Sequence, residues 1–110
     1  MSFSLTTQQF TAGTKTVTRR VGWRNLTPGD HIQAVEKAMG LRKGEKVVRL
    51  GVIEILSCRR ERIDAITRED VVREGFPAWT PAQFVAFYCE HNKCRPADLC
   101  TRIEFRRVSK

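Results

Sequence analysis

A chain of 110 residues, 41% apolar and 29% charged, has the make-up of one soluble domain over residues 1–110 with a single modest core. No apolar run approaches the roughly 20 residues of a membrane span. Met1–Leu5 has no basic start leading into an apolar stretch, which argues against a secretory signal, so a cytoplasmic protein with reduced cysteines is expected. The net charge of +8 comes from 20 basic and 12 acidic residues, and arginine (14) outnumbers lysine (6). That balance favours a nucleoside, nucleotide or RNA partner, because the planar guanidinium fork suits phosphates and base edges.

Thr6 followed by Gln9 has capping-box spacing and predicts a short helix over Thr7–Ala12, closed by Gly13. Next comes Gly13-Thr14-Lys15-Thr16-Val17-Thr18-Arg19-Arg20, the densest run of reactive and ligand-gripping groups. Lys15 sits on a loop entering an extended segment, Thr16–Arg20. Lys15 and Thr18 are three apart and would fall on opposite faces of a flat strand, so a shared site requires a bend. Gly13 can supply it, since glycine tolerates positive φ. The bland alternative is a polar turn entering a β-branched strand with solvated arginines.

Thr27-Pro28-Gly29-Asp30 reads as a type II turn and His31–Val35 as a strand. Gly40 and Lys43–Lys46 mark a polar loop. Val47–Arg60 is the strongest strand pattern. Leu50, Val52, Leu56 and Cys58 share one parity, and Gly51, Ile53, Ile55 and Ser57 the other, so both faces look buried. Arg59, Arg60 and Arg62 crowd its exit, either as a phosphate grip or as a solvated strand end.

Thr67–Gly75 reads as a short helix capped by Thr67, with Ile66 and Val71 as its staple. Thr80–His91 is a clearer one, with Thr80 as cap, Pro81 in the first turn and Gln83 completing a capping box. Trp79 and Phe84 form its staple, although a tryptophan beside arginines can also stack a nucleobase. Phe84, Phe87, Tyr88 and His91 fall on one face and read as core. Cys100–Val108 is the last strand, with Ile103 and Phe105 inward and Arg102, Glu104 and Arg106 outward. His31 reads as a surface histidine. Regular crossover helices are missing, so the expected class is α+β, a small mixed barrel or rolled sheet with helices on its flank.

Glu74 closes the first of these two helices. The negative end of the dipole and Asp70, four residues earlier, both disfavour its charge, the direction a proton-shuttling carboxylate needs. Arg73 beside it, or Lys15 brought near, would push the other way, and the bland alternative is a solvated helix-end glutamate. Lys15 can act as a base only if burial or nearby cations lower its pKa by several units from about 10.4. Arg19 and Arg20 supply such cations, and Thr18 offers a hydroxyl for activation. Cys89-x-His91-x2-Cys94-x5-Cys100 has four soft ligands but lacks paired Cys-x2-Cys units, so no metal is expected and the cysteines read as structural thiols.

The Gly13–Arg20 stretch resembles the signature of the ASCH domain family, relatives of the PUA-type RNA-binding barrels, whose pattern is Gly-x-Lys-x-x-Glu-x-Arg. Gly13, Lys15 and Arg20 fit it, and Thr18 stands at the glutamate position. Threonine there is shared with the small ASCH proteins known as N4-acetylcytidine amidohydrolases. The resemblance implies a PUA-like β-barrel flanked by short helices and an amidohydrolase that needs no cofactor. Its implied catalytic set is Lys15, Thr18 and Glu74, the glutamate assigned by order and spacing ahead of Ile103-Glu104-Phe105. Arg20 would position the substrate. If the domain only binds RNA, then Lys15, Arg19, Arg20, Arg59, Arg60 and Arg62 would hold phosphates, and if it cleaves RNA, Lys15 would be the key cation.

Overall fold

The computed structural model describes residues 1–37, 44 and 46–108. Of the expected polar loop, Gly40, Lys43 and Glu45 lie outside the described residues. The elements are α1 (Thr7–Ala12), β1 (Val17–Arg20), β2 (His31–Val35), β3 (Arg49–Arg62), α2 (Arg68–Arg73), α3 (Pro81–Asn92) and β4 (Leu99–Arg107), with a 3-10 turn at Ile63–Ala65 before α2. The four strands form one antiparallel sheet in the order β1-β4-β3-β2, curled into a half-barrel. This is the expected α+β class. The sheet is open at β1 and β2, and the named strand pairs are all antiparallel.

Local chemistry explains the helix ends. Thr67 Oγ1 accepts from the Asp70 amide at the start of α2. Thr80 and Gln83 make both halves of the capping box of α3. The capping box expected at α1 does not form, because Thr6 has φ −136° and ψ 28° and its side chain caps nothing. Thr7 Oγ1 instead donates to the Phe3 carbonyl at 2.8 Å. Gly13 closes α1 at φ +80°, and Gly29 takes φ +95° in the Thr27–Asp30 turn.

A bulge corrects the reading of β3. Ile55 pairs with Phe105 but Ser57 pairs with Glu104, which leaves Leu56 as the extra residue, 40% exposed. Face parity flips there. Ile53 and Ile55 before the bulge, and Cys58 after it, therefore pack into the same core. Val47 and Val48 precede the strand and are exposed, so the strand is central in the sheet without being apolar on both faces.

Two apolar clusters flank the sheet. Phe3, Phe10, Ile53, Ile55, Ile103 and Phe105 make the first. Ile63, Ile66, Val71, Phe84, Tyr88 and Cys100 make the second, where α2 and α3 cover the sheet. Cys100 and Arg102 have the opposite parity to Ile103 and Phe105 along β4, so β4 is buried on both faces. The outward placement expected for Arg102 is thereby corrected. It is buried because α2 lies over that face and presents Asp70 to it.

Candidate active site

The site grows from the edge strand β1. After Gly13, the amides of Thr14 and Lys15 both donate to the Gln9 carbonyl, folding the chain back over the end of α1. The Thr16 amide then donates to the Arg73 carbonyl at 2.8 Å, and its carbonyl accepts from Phe105 at 3.0 Å. This segment therefore joins α1, α2 and β4, and it is the bend that the Lys15–Thr18 spacing requires. Gly75, at φ +102°, turns the chain directly after Glu74 and lies against the Gln9 side chain.

Lys15 and Glu74 meet as a result. Lys15 Nζ donates to Glu74 Oε1 at 2.6 Å and to the Glu74 carbonyl at 3.0 Å, with each side chain only 3% exposed. Burial pushes the Lys15 pKa below the ordinary lysine value. Glu74 pulls it back up, and Arg20 and Arg19 add to the lowering. The second carboxylate oxygen, Oε2, accepts from Arg19 Nη1 at 3.2 Å. Glu74 thus sits between two cations, whereas the sequence suggested a carboxylate burdened by Asp70. Asp70 has cations of its own.

Arg19 is the hub of that arrangement. Its Nη2 reaches Asp70 Oδ2 and Glu61 Oε2, both at 2.7 Å. Burial works against its charge, but Glu74, Asp70 and Glu61 outweigh it and raise the Arg19 pKa. Asp70 also takes both a 2.6 Å and a 3.0 Å bond from Arg102 and a 3.2 Å bond from Arg73. Against the effect of its burial, Arg102 and Arg19 hold the Asp70 carboxyl well below the usual carboxylate range. Arg19 is 4% exposed and already bonded to three carboxylates, which leaves it poorly placed to grip a phosphate.

Lys15, Thr18, Arg19, Arg20 and Glu74 all line one cleft of about 240 Å³. Thr18 is buried, and its Oγ1 accepts from Arg20 Nε at 3.2 Å. The Arg20 guanidinium lies 4.8 Å from the centre of the Phe3 ring. The opposite wall is α3, with Phe84, Phe87 and Tyr88. The helix stripe expected to be core is therefore divided. Phe84 and Tyr88 are buried and also face the cleft, Phe87 is half-buried, and His91 is exposed beyond it.

Arg59, Arg60 and Arg62 are not among the residues lining this cleft. Arg59 pairs with Glu61, Arg62 bonds both oxygens of Asp64, and Arg60 bonds Thr101 Oγ1 and the Val21 carbonyl. Trp79 stacks on Phe76 at 4.2 Å, in keeping with a packing role. Among the described residues no three His, Cys, Asp or Glu side chains converge as a metal site. Sequence reasoning missed Asp70 and Arg102 as partners. Strand alternation pointed Arg102 outward, and only the placement of α2 reverses it. Tyr88 was legible as part of the stripe but not as a cleft group.

No family model and no curated protein sequence matches the chain. Solved structures do. An Enterococcus faecalis protein from a domain family of unknown function superposes with a TM-score of 0.73 at 12% identity, over 96% of this chain and 68% of that one. The ASCH domain of Lactobacillus crispatus gives 0.61 at 16% identity, over 96% and 72%. A point variant of the Zymomonas mobilis ASCH protein gives 0.62 at 16% identity, over 99% and 68%. Together with the sheet order and the Gly13–Arg20 bend, these likenesses establish that the chain has the fold of an ASCH domain.

Proposed function

We propose that the protein hydrolyses an acyl amide on a modified nucleoside of the N4-acetylcytidine type. The observation that carries this reading is the meeting of a buried ammonium, a hydroxyl and a carboxylate in one cleft with an aromatic wall. The cleft volume of about 240 Å³ falls below the usual ligand-pocket range of about 300–1,000 Å³, so the site would take a small group such as one ring and its acyl substituent.

The chemistry follows from the contacts. A proton passed from Lys15 Nζ to Glu74 Oε1, 2.6 Å away, leaves a neutral amine beside a carboxylic acid. The lowered Lys15 pKa favours that transfer. Thr18 Oγ1 attacks the acyl carbon and gives its proton to Lys15, while Glu74 protonates the departing nitrogen. The C–N bond breaks, the acyl group rests on Thr18, and the ion pair is restored. Water then cleaves the ester, releasing the acid and the threonine hydroxyl. Arg20, which donates to Thr18 Oγ1, would position the substrate and stabilise the developing oxyanion.

The test is acetate release from N4-acetylcytidine by the wild type and by Thr18→Val, followed by mass spectrometry. The wild type should turn over and the variant should not, while keeping its thermal midpoint. Full activity in the variant removes Thr18 from the mechanism, and a silent wild type ends the amidohydrolase reading. A clamp for RNA strands is the second reading, and salt separates the two. Strand binding should weaken steeply between 50 and 200 mM salt, whereas an uncharged nucleoside should hardly respond. Arg59 and Arg62 are already paired with carboxylates, which favours the nucleoside.

A further inference from the structure

We infer that the Tyr88 hydroxyl reads a ring carbonyl on the edge of the bound heterocycle, and so sets which nucleobase the cleft accepts. This inference rests on the nucleoside reading above but not on the hydrolytic step. Tyr88 lies on α3, is 5% exposed and lines the cleft beside Phe84 and Phe87. Its Oη is buried and has no hydrogen-bond partner among the described residues. A buried tyrosine hydroxyl ordinarily finds one, and leaving it unpaired costs stability. Burial, followed by Cys100, Cys94 and Glu74, raises the Tyr88 pKa, so at neutral pH the group is a donor in want of an acceptor.

The neighbours narrow the acceptor. Glu74 is already held by Lys15 and Arg19. Asn92, the next polar side chain on the same wall, donates its Nδ2 proton to the Tyr88 carbonyl. Lys15 and Arg20 supply the cations on the β1 side, and Tyr88 supplies the hydroxyl donor on the α3 side. A flat ring laid against Phe84 and Phe87 would lie on the wall that carries that hydroxyl. On a cytosine-type ring, the ring carbonyl shares an edge with the acylated amine, on the other side of the ring nitrogen between them. A base without an acceptor at that point would leave the hydroxyl unpaired and be rejected.

The experiment compares Tyr88→Phe with wild type on N4-acetylcytidine and on N4-acetyl-2-thiocytidine, whose sulfur accepts hydrogen bonds weakly. Apo thermal midpoints are measured alongside, as are dissociation constants for both nucleosides. Removing an unpaired hydroxyl should leave the apo midpoint unchanged or raise it. The KM for N4-acetylcytidine should rise about tenfold, with the loss falling on KM more than on kcat. On the thio analogue the two proteins should differ by less than about twofold, because the bond is already weakened there. A lowered apo midpoint would show a structural partner and overturn the inference. An equal penalty on both substrates, or none on either, overturns it too. If the wild type binds the nucleosides with the Tyr88-dependent pattern but releases no acetate, the hydrolytic reading fails and this one stands. Binding of neither nucleoside overturns both.

Discussion

Replacing Arg19 with methionine tests whether the buried ionic cluster holds the site together. Methionine keeps the stem and removes the guanidinium. The three carboxylates that Arg19 bonds each keep another cation: Lys15 for Glu74, Arg102 and Arg73 for Asp70, and Arg59 for Glu61. Removing one partner of a buried pair costs about 3–5 kcal/mol when the other is left bare. With those second partners in place the low end applies, about 3 kcal/mol. That is a large share of the roughly 5–15 kcal/mol that holds a domain folded. At about 4 °C per kcal/mol the thermal midpoint should fall by about 12 °C. Arg19→Lys should lie between, because a point charge cannot reach three carboxylates as a planar fork does.

The pH dependence gives a second readout. The pKa values of Asp70 and Glu61 are lowered in the folded protein by their arginine partners, despite the raising effect of burial. A lowered carboxylate contributes stability that is fully present above its unfolded pKa, near 4, and is withdrawn as pH falls toward the folded value. The gap between wild type and Arg19→Met in urea unfolding should therefore be widest from about pH 5 to 8 and should narrow below about pH 4. Equal midpoints at pH 7, or a gap that does not change into acid, would refute the network as an energetic unit.

The Lys15–Glu74 pair calls for a double-mutant cycle with Lys15→Met and Glu74→Gln. The singles should each lose acetate release and stability, and the double should cost less than their sum by about 1–3 kcal/mol. Additive losses in urea unfolding would mean that the two groups do not pair in solution. Gly75→Ala forces a side chain into φ +102° and places its Cβ 2.7 Å from both Cβ and Cγ of Gln9. It should cost about 2 kcal/mol or more and reduce turnover, because Glu74 would be displaced from Lys15. A wild-type midpoint and rate in that variant would show that the turn after α2 does not place the carboxylate.

Much of the fold could be read from short-range chemistry. Thr67, Thr80 with Gln83, and Gly13 mark helix ends through bonds within four residues, and those ends stand where the spacing put them. The failures share a cause at longer range. Thr6 has the right neighbour in Gln9, but the chain entering from Phe3 gives it backbone angles that preclude the cap. Leu56 follows the alternation until the register with β4 slips beside it, and a slip depends on the partner strand. Lys15, Thr18, Arg20 and Glu74 were legible as candidates because the motif is local and the helix end is recognisable. That they share one cleft could not be read from their spacing, since Glu74 is brought to Lys15 by α2 packing across β1 and α1.

The arginine excess carries a different meaning once the partners are known. From composition, 14 arginines and a charge of +8 point to a polyanion. In the structure several of those arginines perform tasks that lysine could not. Arg19 bonds three carboxylates, Arg102 holds Asp70 through two bonds, and Arg62 does the same for Asp64. Arg20 and Arg107 lie over the rings of Phe3 and Phe10. Each task uses the planar, multiply donating shape of the guanidinium, so the preference for arginine over lysine has a cause inside the fold. The charge count is then weak support for a nucleic-acid partner. The proposal of a nucleoside rests on the cleft, which Lys15, Thr18 and Glu74 line together with Phe84, Phe87 and Tyr88.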